Sequence, residues 1–186
     1  MIERVAILPV GAEHLPALAE VAAQIWRAYY PSITSPAQVE YMLARMYSLE
    51  TLRAEIASQG IRFYRLLVDG QLSGFASLGP VEVGTPRCGV RTAQRAVATF
   101  KLHKLYLALE LHGHGLGSRL LQYCEAEARQ LGAHRLVLAV NKRNSKAIAA
   151  YERNGFAVAE SVVVDIGGGF VMDDFIMAKN LSGAYA

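Results

Sequence analysis

The residues best placed to do chemistry lie in one short run, His112-Gly113-His114-Gly115-Leu116-Gly117. Three glycines at alternate positions let the main chain approach a ligand closely and turn its N–H groups inward. A helical pattern starts at once. Leu116, Leu120, Cys124, Glu127, Ala128 and Leu131 share one side of a helix, and Gly132 stands where a C-cap glycine belongs. The first turn of that helix adds unpaired N–H groups, Ser118 among them, and the positive end of a dipole. The expected ligand is therefore a phosphate or pyrophosphate. Upstream, Phe100 to Leu111 is rich in residues that suit a strand. Strand, glycine loop and helix N-terminus together make an anion cradle.

Two nucleotide motifs fail on this stretch. A P-loop ends in Gly-Lys-Ser/Thr, but Gly117 is followed by Ser118 and Arg119. A dinucleotide fingerprint needs a third glycine where Ser118 stands, and no acidic residue follows at the required distance. A metal set from His103, His112 and His114 is disfavoured. No cysteine or acidic cluster joins them, and their spacing matches no standard site.

The loop, as His112-x-x-Gly115-x-Gly117, resembles the acetyl-CoA loop of the GNAT superfamily of N-acetyltransferases, with His112 in place of the usual Gln or Arg. A second block supports the resemblance. Asn144-x-x-Ala147-x-x-x-Tyr151-x-x-x-Gly155-Phe156 follows a strand-like run, Arg135 to Val140, as the superfamily's second signature would. The tail from Asp174 to Leu181 and the segment from Trp26 to Leu78 look like the spermidine/diamine N-acetyltransferase branch. The resemblance implies an α+β fold. Its central sheet is mixed, mostly antiparallel, of about seven strands splayed between the fourth and fifth, with about four helices. It also implies direct acetyl transfer from acetyl-CoA to a primary amine in a ternary complex. The acceptor expected from the branch is a small polyamine or diamine.

Each site role also follows from the resemblance. Backbone N–H groups from His112 through Gly113, His114, Gly115, Leu116, Gly117 and Ser118 would hold the pyrophosphate. The N–H of Leu107 would polarise the acyl carbonyl, Leu109 would hold the pantetheine arm, and Asn144 would bond its amides or order the turn. Tyr151 would protonate the leaving thiolate, since a phenol near pKa ~10 matches a thiol's basicity. The base would be His103, Glu110 or Glu82. Tyr29, Tyr30 and Tyr47 are candidate walls of the acceptor pocket, with core packing as the plainer alternative. Lys142, Arg143 and Lys146 form either a solvated helix end or a contact for the 3′-phosphate of CoA. Acids available for a cationic acceptor are Glu82, Glu110, Asp165, Asp173 and Asp174. The rival readings are a protein N-terminal or lysine acetyltransferase and a non-catalytic acyl-CoA-sensing module.

Composition sets the outer limits. A chain of 186 residues, 53% hydrophobic, has room for one substantial core, so a single domain over residues 1–186 is expected. Net charge +3 is too small to argue for nucleic acid. No apolar run reaches the ~18 residues of a membrane span, and Met-Ile-Glu-Arg does not open like a secretory signal. Two cysteines, Cys88 and Cys124, make no disulfide framework. A cytoplasmic location is expected, and Cys124 reads as a small core residue.

Local signals supply the remaining elements. Arg4 to Pro9 reads as a strand. Leu15, Leu18, Ala22, Ile25, Trp26 and Tyr29 form a helical stripe. Ser35-Pro36-Ala37-Gln38 is a capping box, and Leu49 to Ser58 is a further short helix. Asp69-Gly70 joins two strands in a hairpin, and Gly167-Gly168-Gly169 joins the last two. Residues 79–99, carrying Arg87, Arg91 and Arg95, read as a long insertion. It could be a lid or the contact of a homodimer.

Overall fold

The computed structural model describes residues 4–58, 60–81 and 98–181. Glu82, Cys88, Arg87, Arg91 and Arg95, and with them most of the expected insertion, lie outside the described residues. Seven strands form one sheet in the order β1-β2-β3-β4-β5-β7-β6. They are β1 Val5–Pro9, β2 Arg62–Val68, β3 Gln71–Pro80, β4 Thr99–Leu107, β5 Arg135–Asn141, β6 Ala157–Gly167 and β7 Phe170–Asn180. Among the described residues five α-helices accompany them, one more than the approximate count expected: α1 Leu15–Tyr29, α2 Pro36–Met46, α3 Leu49–Ser58, α4 Leu116–Gln130 and α5 Ser145–Arg153.

The turn chemistry explains the boundaries. Asp69 and Gly70 take φ of 49° and 83°, the left-handed pair that a two-residue hairpin demands. Ser35 Oγ accepts the Gln38 N–H at the start of α2. Gly132, at φ 82°, ends α4, and the next amide, on Ala133, reaches back to the Ala128 carbonyl. The strand-rich run to Leu111 is shorter than the sequence suggests. β4 stops at Leu107, and Leu109–Leu111 forms a 3-10 turn closed by the Leu111 N–H on the Ala108 carbonyl. Leucine content cannot separate the two, because the turn leaves Leu109 exposed.

The chain divides into two compact units. The first comprises Met1–Gly79 and Lys104–Cys124. Here β1 pairs antiparallel with β2, and β2 with β3. α1 buries Leu15, Leu18, Ala22, Ile25 and Trp26, the stripe expected from sequence, and α2 buries Val39, Met42 and Leu43. Lys104, 3% exposed, sends its ammonium to both oxygens of Glu55 on α3 at 2.6 Å. Its nitrogen also stands 5.4–5.6 Å from the Phe63 and Tyr47 ring centres. A lysine this deep is tolerated because the carboxylate is at hand and the stem packs on aromatic carbon. Gly74 is small of necessity: a Cβ there would come within 2.7 Å of the Tyr106 carbonyl oxygen.

The second unit comprises Pro80–His103 and Glu125–Ala186. Parallel pairing joins Thr99–Leu102 to Arg135–Leu138, while β7 pairs antiparallel with both β5 and β6. Leu102↔Leu138 is the last of the parallel pairs, and each strand runs on past it. Leu136, Val137, Leu138 and Met177 are fully buried. Lys179 of β7 meets both oxygens of the buried Glu125 at 2.7 Å and lies over the Phe156 ring, so α4, β7 and the end of α5 are clamped at one point.

Candidate active site

In the first unit the chain leaves β4 and enters the glycine loop through a set of short-range bonds. The His112 N–H closes the 3-10 turn on the Leu109 carbonyl. The imidazole folds back, and its Nε2 lies 3.0 Å from the Leu107 carbonyl oxygen. That contact requires the Nε2–H tautomer, so His112 is a donor holding the loop against the end of β4. His114 Nδ1 sits 3.1 Å from the His112 carbonyl oxygen and braces the loop a second time. The Tyr29 ring meets His112 edge-on at 5.6 Å. The substitution of histidine for the usual Gln or Arg therefore has a local structural use.

Gly113 and Gly115 adopt φ of 82° and 75°, which an L side chain rarely takes. At Gly113, Gly115 and Gly117 an added Cβ would meet nothing within 4 Å. The loop is an open cradle, with the first turn of α4 behind it. Arg119 is exposed, and its guanidinium lies 3.4 Å from the Val5 carbonyl oxygen. Glu110 stands exposed in the 3-10 turn, Leu116 is buried, and Ser118 is half-buried.

The tyrosines expected as pocket walls separate into two kinds. Tyr47 is core: it is 4% exposed and in ring contact with Trp26, Phe75 and Tyr106. Burial pushes its phenol well above the ordinary value, so it stays protonated. Tyr29 and Tyr30 are half-buried, and Tyr30 stacks on Trp26 at 4.0 Å. Tyr106, expected only as a strand residue, completes this aromatic surface.

In the second unit Asn144 caps α5, its Oδ1 accepting the Ala147 N–H at 3.3 Å, and it is buried. It orders the turn, one of the two roles expected. Tyr151 is half-buried on α5 and edge-on to Phe156 at 6.0 Å. His103 is half-buried on β4. Lys142 is engaged with Asp173 and lies over the Phe175 ring, while Arg143 and Lys146 remain exposed. Asp174, one of the five acids available for a cationic acceptor, is 4% exposed. Its inward position was readable only from its two-residue spacing to Ile176 on β7.

Cys124 is fully buried, as a small core residue on α4 should be. Among the described residues, no group of three or more His, Cys, Asp or Glu side chains comes together as metal ligands, and no helix is long and apolar enough to cross a membrane.

A strand that delivers the chain into an open glycine cradle at a helix N-terminus, within a seven-stranded mixed sheet, makes an anion-binding α+β fold. Residues 20–156 match the Acetyltransferase (GNAT) family, and the chain belongs to that family. A spermidine N(1)-acetyltransferase from Thermoplasma acidophilum is 29% identical over 159 residues, which is 83% of this chain and 89% of that protein. An uncharacterised N-acetyltransferase from Lactobacillus delbrueckii subsp. lactis is 25% identical over 95% of this chain and 98% of its own length. Among solved structures, the PaiA N-acetyltransferase of Thermoplasma acidophilum in complex with coenzyme A superposes with a TM-score of 0.74 at 28% identity. That match covers 96% of this chain and 99% of the other.

Proposed function

We propose that the protein transfers an acetyl group from acetyl-CoA to the primary amine of a small, polyamine-like acceptor. The observation that carries this reading is the cradle itself. Two left-handed glycines and three empty Cβ positions expose main-chain N–H groups at the start of α4, which suits a pyrophosphate. The spermidine acetyltransferase relative supports the choice of acceptor.

In this reading backbone N–H groups from His112 to Ser118 hold the pyrophosphate. Leu109 and Asn144 contact the pantetheine arm, and the Leu107 N–H bonds the thioester oxygen as negative charge develops there. The acceptor nitrogen attacks the thioester carbon, the N–C bond forms and the C–S bond breaks. The ammonium proton leaves to His103 or Glu110, directly or through water, and the departing thiolate takes the Tyr151 hydroxyl proton. No acyl-enzyme forms.

The test is thiol release from acetyl-CoA over a panel of spermidine, short diamines, monoamines, amino acids and peptides. Turnover with small amines that falls about a hundredfold in Tyr151→Phe, with CoA binding retained, is the expected result. Reaction with peptides alone would move the protein to protein modification. CoA binding without any turnover would make it an acyl-CoA sensor.

A further inference from the structure

The first unit holds a cavity of about 160 Å³ between the start of α1 and the β2–β3 hairpin. None of the residues assigned to acetyl transfer lines it. Its apolar wall includes Val10, Leu18, Leu67 and Leu72, and its polar side chains are those of Arg65 and His14. None of its lining residues is acidic. A bulge shapes one side. Leu66 pairs with Gly74 and Leu67 with Leu72, so Ser73 is an extra residue on β3. Such an insertion bends the strand and re-aims the side chains beside it. Leu67 and Leu72, the first pair beyond the bulge, both face the cavity.

The two polar groups are donors in want of an acceptor. Arg65 stands between Leu8 and Phe75 across the ladder, and neither neighbour offers a charge. Its Nε–H is buried and meets no acceptor among the described residues. His14 Nδ1 accepts the Gly11 N–H at 3.0 Å, which puts the proton of the neutral ring on Nε2. The Glu13 carboxylate lies on the Nδ1 side, 3.2 Å away, and leaves Nε2 to other partners. A buried donor with no acceptor is costly, and native structures seldom keep one without a use. The Nε–H and one terminal N–H share an edge of the guanidinium that matches the two oxygens of a carboxylate. An apolar cavity of about 150 Å³ admits benzene, so a ligand of about six non-hydrogen atoms fits. We propose that this cavity binds a small aliphatic monocarboxylate, its headgroup on Arg65 and His14 and its tail on Leu18, Leu67 and Leu72. The site is separate from the CoA cradle, and its ligand takes no part in acetyl transfer.

The test titrates sodium butanoate into the full chain with CoA in excess, followed by calorimetry and by amide NMR shifts. One saturable site is expected, with a Kd of about 1 mM and shifts centred on His14, Arg65 and Leu72. 1-Butanol, with the same carbon chain and no charge, should bind at least about tenfold more weakly, for want of a charge-assisted bond. Arg65→Gln should weaken butanoate binding by about the same factor. Leu67→Phe fills the cavity and keeps the charge, so it should abolish binding. The alcohol comparison uses the wild-type chain and decides the matter even where a variant fails to fold. No saturable binding, shifts confined to the glycine loop, or equal affinity for butanoate and 1-butanol would each overturn the proposal. So would butanoate affinity unchanged in a folded Arg65→Gln.

Discussion

Replacing Asp174 by asparagine should make the protein more stable at neutral pH. Burial lifts this carboxyl from 3.8 to about 6, with Asp173 adding to the rise and Lys101, Asn141 and Lys142 opposing it. A carboxyl whose folded pKa lies above its unfolded value favours the protonated form in the folded state. The cost is absent below about 3.8, grows between the two values and is complete above about 6. A shift of this size corresponds to about 3 kcal/mol at pH 8, and to about 1.5 kcal/mol at pH 5, where half of the logarithmic gap remains. Asparagine keeps the shape, avoids the charge and can still bond Asn141. Urea unfolding at pH 8 should therefore show Asp174→Asn to be more stable by up to about 3 kcal/mol, and thermal melting should rise by about 6–10 °C. The gap should narrow by about half at pH 5. A variant less stable than wild type at pH 8, or a gap indifferent to pH, would show that the carboxylate is satisfied in solution.

Two further changes probe the first unit. Gly115→Ala forces a side chain to a φ of 75°, so CoA affinity measured by calorimetry should fall about tenfold; unchanged affinity would remove the backbone cradle from the binding site. Lys104→Met leaves the half-buried Glu55 carboxylate, 14% exposed, without its ammonium. Urea unfolding should show a loss of about 3–5 kcal/mol, most of it recovered when Glu55→Gln is added, and a loss that persists in the double variant would falsify the ion-pair account.

What could be read from the sequence was local. Asp69-Gly70, Ser35 and Gly132 each announce a turn or a cap through their own backbone preferences, and the structure places all three as expected. The glycine loop and the Asn144 block were legible because their spacing is fixed within a few residues. The end of β4 was not, because Leu109 and Leu111 suit a strand and a 3-10 turn equally in composition. Tyr106 and Lys104 escaped notice for a different reason. Their partners, Trp26, Tyr47, Phe75 and Glu55, come from distant parts of the chain, so no short window contains the contact that explains them. Asp174 was visible only as an acid. Its isolation depends on which lysine Asp173 claims, and that is decided by register across strands.

The Lys104–Glu55 pair also bears on the order in which the chain can settle. The two residues are 49 positions apart, and the buried Lys104 ammonium is not tolerable without a carboxylate at hand. α3 can form its turns early, but it cannot press Glu55 inward until the strand bearing Lys104 has arrived. The β2–β3 hairpin between them must wait in a looser arrangement or fold around a carboxylate still turned to water. A fragment ending before residue 104 would thus stall as a partly hydrated intermediate, and the second half of β4 would act as the latch that lets the N-terminal helices close.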